Sequence, residues 1–205
     1  MYQSLENLTA ELLDKAKQSG ATTADAFVVK NTSLSMEVRN QKLEKIEKSE
    51  NINVSLRVFI DKKSACIGSS FAKSIDIQEL ADRAVAMASE APSDKFSGLA
   101  DASQLARIRD ARNLELFDNT VENIDPIFLK KTALQMEEAA LDIDEIRQCE
   151  ASGAGTNCSE IQLATSNGFS GGYKKSSVQL FCSAIAGEGS KMERDFSSES
   201  RVFLD

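Results

Sequence analysis

The chain has no histidine and no tryptophan, and only two prolines and two tyrosines among 205 residues. The missing histidines exclude the most. They remove Ser-His-Asp and Cys-His arrangements, histidine-based zinc sites and the commonest general base near neutral pH. Catalysis by these residues alone would rest on carboxylates or lysines. Cysteine is scarce too. Cys66, Cys149, Cys158 and Cys182 form no Cys-x-x-Cys pair, so they are expected as reduced, mostly buried small hydrophobes. No run of about 18 apolar residues is present, which leaves no membrane-spanning helix. The first residues, Met1-Tyr2-Gln3-Ser4-Leu5-Glu6, have neither a basic nor an apolar leader segment, and a cytoplasmic location is expected. Basic charge is in deficit. The net charge of −8 disfavours non-specific binding to nucleic-acid phosphates.

What is present is ordinary for a globular chain: 41% hydrophobic and 27% charged residues, enough to bury a core in one or two domains. Leu5, Leu8, Leu12, Leu13 and Ala16 recur at helical spacing over residues 4–19, and Gly20 suits the position after the helix end. From Ala24 the period falls to two. Ala26 to Val29 reads as a short buried strand, and Leu34, Met36 and Val38 as a half-exposed one. Asn40-Gln41-Lys42 is expected to turn into a polar strand at Leu43–Lys48. Ile52, Val54, Leu56, Val58 and Ile60 alternate without a miss, and Asp61-Lys62-Lys63 turns into Ser64–Ser70. Asp76 opens a second helix with Glu79 in the capping-box position, and Pro92 lies just beyond its end.

Residues 91–124 carry Pro92, Ser93, Asp94, Ser97 and Gly98 and only short apolar groups, so the domain boundary is placed at a linker over 101–112. Asp125-Pro126 is a sharp helix start, followed by Leu129, Ala133, Met136 and Ala140 on one face. A polar strand at Ile146–Ala151 and a turn at Gly153-Ala-Gly155 come next. Ser159 to Thr165 forms the first arm of a hairpin. Its turn is Ser166-Asn167-Gly168, since Asn-Gly tolerates positive φ. Val178–Ala186 and Met192–Phe196 follow as strands around Gly187-Glu188-Gly189. The halves share a plan, a helix and then a meander. The expected fold is α+β, two helix-plus-antiparallel-meander units in mixed sandwich-like layers, as domains 1–100 and 113–205.

The possible chemical sites are few. Gly153-x-Gly155 and Gly168-x-x-Gly171-Gly172 lack full phosphate-loop spacing and precede no helix. Glu193 and Asp195 share one strand face, where two carboxylates could do acid–base work. Arg194 takes the other face and is expected to pair across the sheet. Arg57 is expected to pair with a strand neighbour such as Glu44. Glu137-Glu138 and Asp142-Ile-Asp144-Glu145 lack calcium-loop spacing and read as a solvated helix end.

The wording of the chain resembles a known family. Leu34-x-Met36-x-Val38-Arg39-Asn40-x-Lys42-Leu43-Glu44, Arg57-Val58-Phe59 and the helix Asp76–Ala88 resemble the first domain of PmbA/TldD proteins. Leu114-x-Leu116-Phe117-Asp118, Glu138-Ala139-Ala140-Leu141, Ser166-Asn167-Gly168-Phe169, Gly172-Tyr173 and Met192-Glu193-Arg194-Asp195-Phe196 resemble the central domain, most closely in the branch also called TldE. Asn53 and Ser55 stand where the family favours glycine, and Lys62-Lys63 where it favours Gly-Arg. The resemblance marks Arg39, Glu44, Arg57, Asn167, Gly168, Tyr173, Glu193, Arg194 and Asp195 as motif positions expected to be structural. It implies no catalytic, cofactor or metal residue here. Family members are considerably longer, and the chain is expected to match their N-terminal and central region without the C-terminal domain. In the TldD branch that domain holds a His-Glu-x-x-x-His zinc site.

The resemblance therefore implies an accessory region of a metalloprotease complex. It would shape the cleft and pair with a zinc-bearing TldD-type subunit, or with a second copy, around unfolded peptide substrates. No direct nucleic-acid or membrane partner is implied. The alternative is a regulatory module modulating DNA gyrase or a toxin–antitoxin pair without proteolysis.

Overall fold

The structure, a computed structural model, describes residues 4–70, 76–106 and 114–204. Four α-helices and six β-strands follow in the order α1 (Leu5–Gln18), β1 (Thr23–Arg39), β2 (Lys42–Ile60), β3 (Lys63–Ser70), α2 (Ile77–Glu90), α3 (Asn119–Glu122), α4 (Pro126–Leu141), β4 (Ile146–Thr165), β5 (Ser170–Ala186) and β6 (Glu193–Arg201). The strands form one sheet in the order β3-β2-β1-β4-β5-β6. The α+β reading therefore holds, with the two meanders joined through β1 and β4. These two run antiparallel: Ala24 bonds to Ser166, and further along Asn31 accepts from Ser159. No helix is long and apolar enough to cross a membrane among the described residues. The linker expected at 101–112 lies outside the described residues from position 107 onward. Its first part holds a single 3-10 turn capped by Asp101.

Several strands are longer than the local pattern suggests. Residues 24–29 and 34–38 belong to one 17-residue strand, and residues 43–48 and 52–60 to one of 19 residues. The polar stretch Lys30-Asn31-Thr32-Ser33 stays extended because β1 has a neighbour on each side to take its backbone groups. Gly153-Ala-Gly155 is likewise no turn, since β4 runs straight through it. A Cβ on Gly153 would overlap the Phe181 ring. One on Gly155 would meet the Leu34 carbonyl at 3.2 Å. Both glycines mark close approach of a neighbour within the sheet.

The described chain forms two compact units. The first gathers residues 1–30, 51–114 and 160–173; the second gathers 31–50, 115–159 and 174–205. In the first, Leu8, Leu12 and Ala16 of α1 and Ala81, Ala84 and Ala88 of α2 bury against Ala26, Val28, Leu56 and Val58. Full burial of each large apolar side chain contributes about 1.5–3 kcal/mol. Ser4 caps α1, accepting from the Asn7 N–H at 3.1 Å. Gly20 ends it with φ +107°. The Ala21 N–H reaches back to the Ala16 carbonyl at 3.0 Å and the Gly20 N–H to Lys17 at 3.1 Å, which closes a Schellman motif. Asp76 caps α2 through the Gln78 and Glu79 amides.

The second unit is built on Met36, Val38, Leu129, Ala133 and Ala154. Asp125 caps α4, with Pro126 in its first turn. Small residues on β4 let α4 sit close: the buried Ser152 hydroxyl donates to the Ala133 carbonyl at 2.9 Å. Glu137 does not lie on a solvated helix end. It is 1% exposed, one helical step beyond Leu129 and Ala133. Its carboxylate accepts the backbone N–H groups of Asn40 and Gln41, each at 2.7 Å, and the Gln41 side-chain amide at 3.0 Å. Those two residues have φ of 52° and 58°, the type I′ geometry of a two-residue hairpin. Non-glycine residues resist this conformation, and Glu137 holds them in it.

Candidate functional site

The hairpin turn between β4 and β5 carries the most distinctive wording of the sequence. Thr165 and Phe169 close it, with the Thr165 N–H donating to the Phe169 carbonyl at 2.8 Å. The loop between them has three residues, and Gly168 alone takes a positive φ, +105°. Asn167 accepts from the Thr165 hydroxyl at 2.6 Å and donates to the Ala100 carbonyl at 2.7 Å. Its amide is therefore occupied in pinning the turn and the chain around Ala100. A crevice of about 500 Å³ opens beside this turn, lined by Leu13, Asp14, Lys17, Thr22, Thr23 and Ser166 among others. It offers one charge of each sign and several hydroxyls, a binding surface with no nucleophile–base pair.

The other motif positions lie apart from it. Arg57 pairs with Asp25, its Nε 2.8 Å from Oδ2, and lies over the Phe59 ring at 5.2 Å. Its expected partner Glu44 instead sits 3.9 Å from Arg39. The reason is register: Asp25 on β1 lies beside Arg57, whereas Glu44 is far along β2 near the Asn40-Gln41 turn. Arg39 and Glu44 line a shallow crevice of about 240 Å³ with Asn40, Lys42 and Leu43. Tyr173 is exposed, as are Glu193 and Asp195 on β6. Arg194 reaches across β5 to Glu150 on β4 at 2.9 Å, and Ser183 of β5 donates to the same carboxylate at 3.1 Å.

Serine and guanidinium together hold the Glu150 carboxyl below its ordinary range, the hydroxyl being the larger cause. A lowered folded value means the contribution to stability is present above the unfolded carboxylate pKa and is lost as pH falls through the folded one. Arg194→Ala is therefore expected to raise the Glu150 pKa in an NMR titration and to leave stability near neutral pH almost unchanged, as for exposed pairs generally. An unmoved Glu150 titration would contradict the assignment.

Two of the cysteines are held as thiols by burial. Burial pushes the Cys149 thiol up to about 12, and burial also raises Cys158. Cys149 and Cys182 are free thiols with sulfurs 3.9 Å apart. Cys149 alone of the four is buried; Cys158 and Cys182 are half-buried and Cys66 is exposed, so the expectation of mostly buried thiols does not hold. Among the described residues, no three His, Cys, Asp or Glu side chains gather as a metal site. The important side chain that pattern reading misplaces is Glu137. The available signal is a carboxylate one step beyond Leu129 and Ala133 on the buried face of α4.

Comparison with known proteins gives this geometry its context. The PmbA/TldA metallopeptidase domain 1 matches residues 24–88, and the central domain of the same family matches residues 119–205. The metalloprotease PmbA homolog of Haemophilus influenzae is 29% identical over 196 residues, covering 95% of this chain and 42% of that protein. A solved protein of Bacteroides thetaiotaomicron, named a modulator of DNA gyrase, superposes with a TM-score of 0.88 at 20% identity, over 99% of this chain and 46% of its own. TldE of Thermococcus kodakarensis gives 0.80 at 14% identity, over 98% and 43%. The chain thus spans less than half the length of these relatives, and the two structures speak for the fold alone. With two consecutive family domains matched in order over most of its length, the chain belongs to the PmbA/TldD metallopeptidase family.

Proposed function

We propose that this chain serves as a non-catalytic accessory region of a TldD/PmbA-type metalloprotease complex. It pairs with a zinc-bearing TldD-type subunit and shapes the cleft in which unfolded peptides are processed. One observation carries this reading: both family domains occur in a chain without a single histidine. In this proposal the zinc ligands and the general base are supplied from outside these residues. The exposed sheet edge at β6, paired through β5 and with no further strand beside it among the described residues, supports the peptide-binding part of the reading. An extended peptide can add there by main-chain hydrogen bonds.

The test is reconstitution. The chain and a TldD-type subunit are mixed and resolved by size-exclusion chromatography with light scattering. A stable one-to-one species is expected. Separate elution at all concentrations up to about 100 µM, well above the dissociation constants of specific complexes, contradicts the pairing.

A further inference from the structure

Two of the four thiols meet inside the second unit. Cys149 stands on β4 and Cys182 on β5, with sulfurs 3.9 Å apart. Both lie on the sheet face that α4 covers. The Cys149 S–H donates to the Glu137 backbone carbonyl of α4 at 3.9 Å. Leu180, two residues before Cys182 and so on the same strand face, packs against the cluster that holds Leu129 and Ala133. The contacts form a short chain. With the Cys149 S–H given to the Glu137 carbonyl, the Cys182 S–H is the one left to donate to the Cys149 sulfur. Thiols are weak donors and weak acceptors, so little holds the two sulfurs at their present separation.

A disulfide places its sulfurs about 2 Å apart. The gap left to close is therefore about 2 Å, a distance that side-chain rotation on two adjacent strands can cover. Exposure divides the roles. Cys182 is half-buried and open to a small reagent, whereas Cys149 is 2% exposed. We propose that Cys149 and Cys182 are a reversible oxidation site, closed into an intrachain disulfide by a small-molecule disulfide such as glutathione disulfide.

The exchange runs in two steps. The Cys182 thiolate attacks one sulfur of the oxidant, which leaves a mixed disulfide on Cys182 and releases one glutathione thiolate. The Cys149 sulfur gives up its proton and attacks the Cys182 sulfur. The Cys149–Cys182 bond forms, the bond to glutathione breaks, and each glutathione thiolate takes up one of the two protons. One oxidant is thus reduced to two thiols as the protein loses two hydrogens. Burial keeps Cys149 protonated, so it is not attacked or oxidised first, and its turn as the second nucleophile is the slow step. Closure withdraws the S–H from the Glu137 carbonyl. It also ties β5, the strand that carries β6, covalently to β4. The inference stands independently of the proposed protease role.

Glutathione disulfide is added to the folded 205-residue chain, and the quenched, alkylated product is digested without reduction and mapped by mass spectrometry. Cleavage at Glu150 separates Cys149 from Cys158. A linked Cys149–Cys182 peptide is expected, and dithiothreitol returns both thiols. Cys66, exposed and beside the Ser55 hydroxyl at 3.3 Å in the first unit, is the internal control and should carry glutathione. In Cys149→Ala the glutathione is expected to stay on Cys182. In Cys182→Ser, Cys149 is expected to stay reduced. The closed bond spans residues 149–182 and is expected to raise the thermal unfolding midpoint by about 5–10 °C. Glutathione that persists on Cys182 of the unaltered chain overturns the proposal. So do two unmodified thiols once Cys66 has fully reacted, a link that forms only in urea, or a midpoint that fails to rise.

Discussion

Glu137→Ala is expected to destabilise the protein by about 3 kcal/mol in urea titration, within the range for buried hydrogen bonds to charged groups and the donors they leave behind. The substitution removes the acceptor for two backbone N–H groups and one side-chain amide at once. It also removes what fixes Asn40 and Gln41 at positive φ, a conformation that costs roughly 1–2 kcal/mol per non-glycine residue. Glu137→Gln keeps one acceptor oxygen but turns an N–H toward the other donor, so a loss of about 1–2 kcal/mol is expected. Amide exchange at Asn40 and Gln41 should speed up in both variants, and more in the alanine one. A change in stability below about 0.5 kcal/mol, the range of uninvolved surface positions, would contradict the role given to Glu137.

Gly172→Ala is expected to be nearly as damaging, at about 2–4 kcal/mol. A Cβ there would overlap the Ile161 carbonyl oxygen and the Gln162 side-chain amide. The obstacle is backbone, which no rotamer change can move, so the β4–β5 pair must separate locally. Gly153→Ala should cost less, because the Phe181 ring that blocks it can swing toward solvent from its partly exposed position. Gly68→Ala is the control. Its Cβ would meet the Val54 carbonyl at an ordinary 3.6 Å, and near-neutral stability is expected. Equal losses at Gly68 and Gly172 would show that glycine entropy in strands, and not close approach, governs these sites.

The helices of this fold are legible from local chemistry. Ser4, Asp76 and Asp125 start α1, α2 and α4, and each is a side chain whose oxygen can satisfy first-turn N–H groups without tertiary help. The Asn40-Gln41 and Ser166-Asn167-Gly168 turns are legible from their turn-forming residue types, although Glu137 holds the first by a tertiary contact. The strands are legible in period but not in length. Lys30 to Ser33 and Gly153 to Gly155 carry turn-like composition, yet stay extended because neighbours far away in sequence supply hydrogen bonds and cover. The β1–β4 pairing, which brings Ala24 to Ser166, joins the two meanders and has no local signature. Arg57 reads correctly as one half of an ion pair, but its partner depends on β1–β2 register, which the alternation of apolar residues does not fix. The solvated-end reading of Glu137 fails because composition places a glutamate near a helix end in water, whereas the spacing from Leu129 and Ala133 places it inside.

Three of the motif positions make specific contacts within the fold. Asn167 pins a turn to Ala100, Arg57 ties β2 to Asp25, and Arg194 ties β6 across β5 to Glu150. None of these contacts assembles a nucleophile, a base or a metal cluster. The proposed accessory role requires such contacts to hold the region in shape, with the chemistry tested separately.

Peptide hydrolysis with the metal content measured in the same samples tests this most directly. The purified chain alone is expected to carry no stoichiometric zinc and to leave an unfolded peptide substrate intact. Addition of a TldD-type subunit is expected to produce turnover that a chelator abolishes. Stoichiometric zinc on the isolated chain, with chelator-sensitive cleavage in the absence of any partner, would contradict the account.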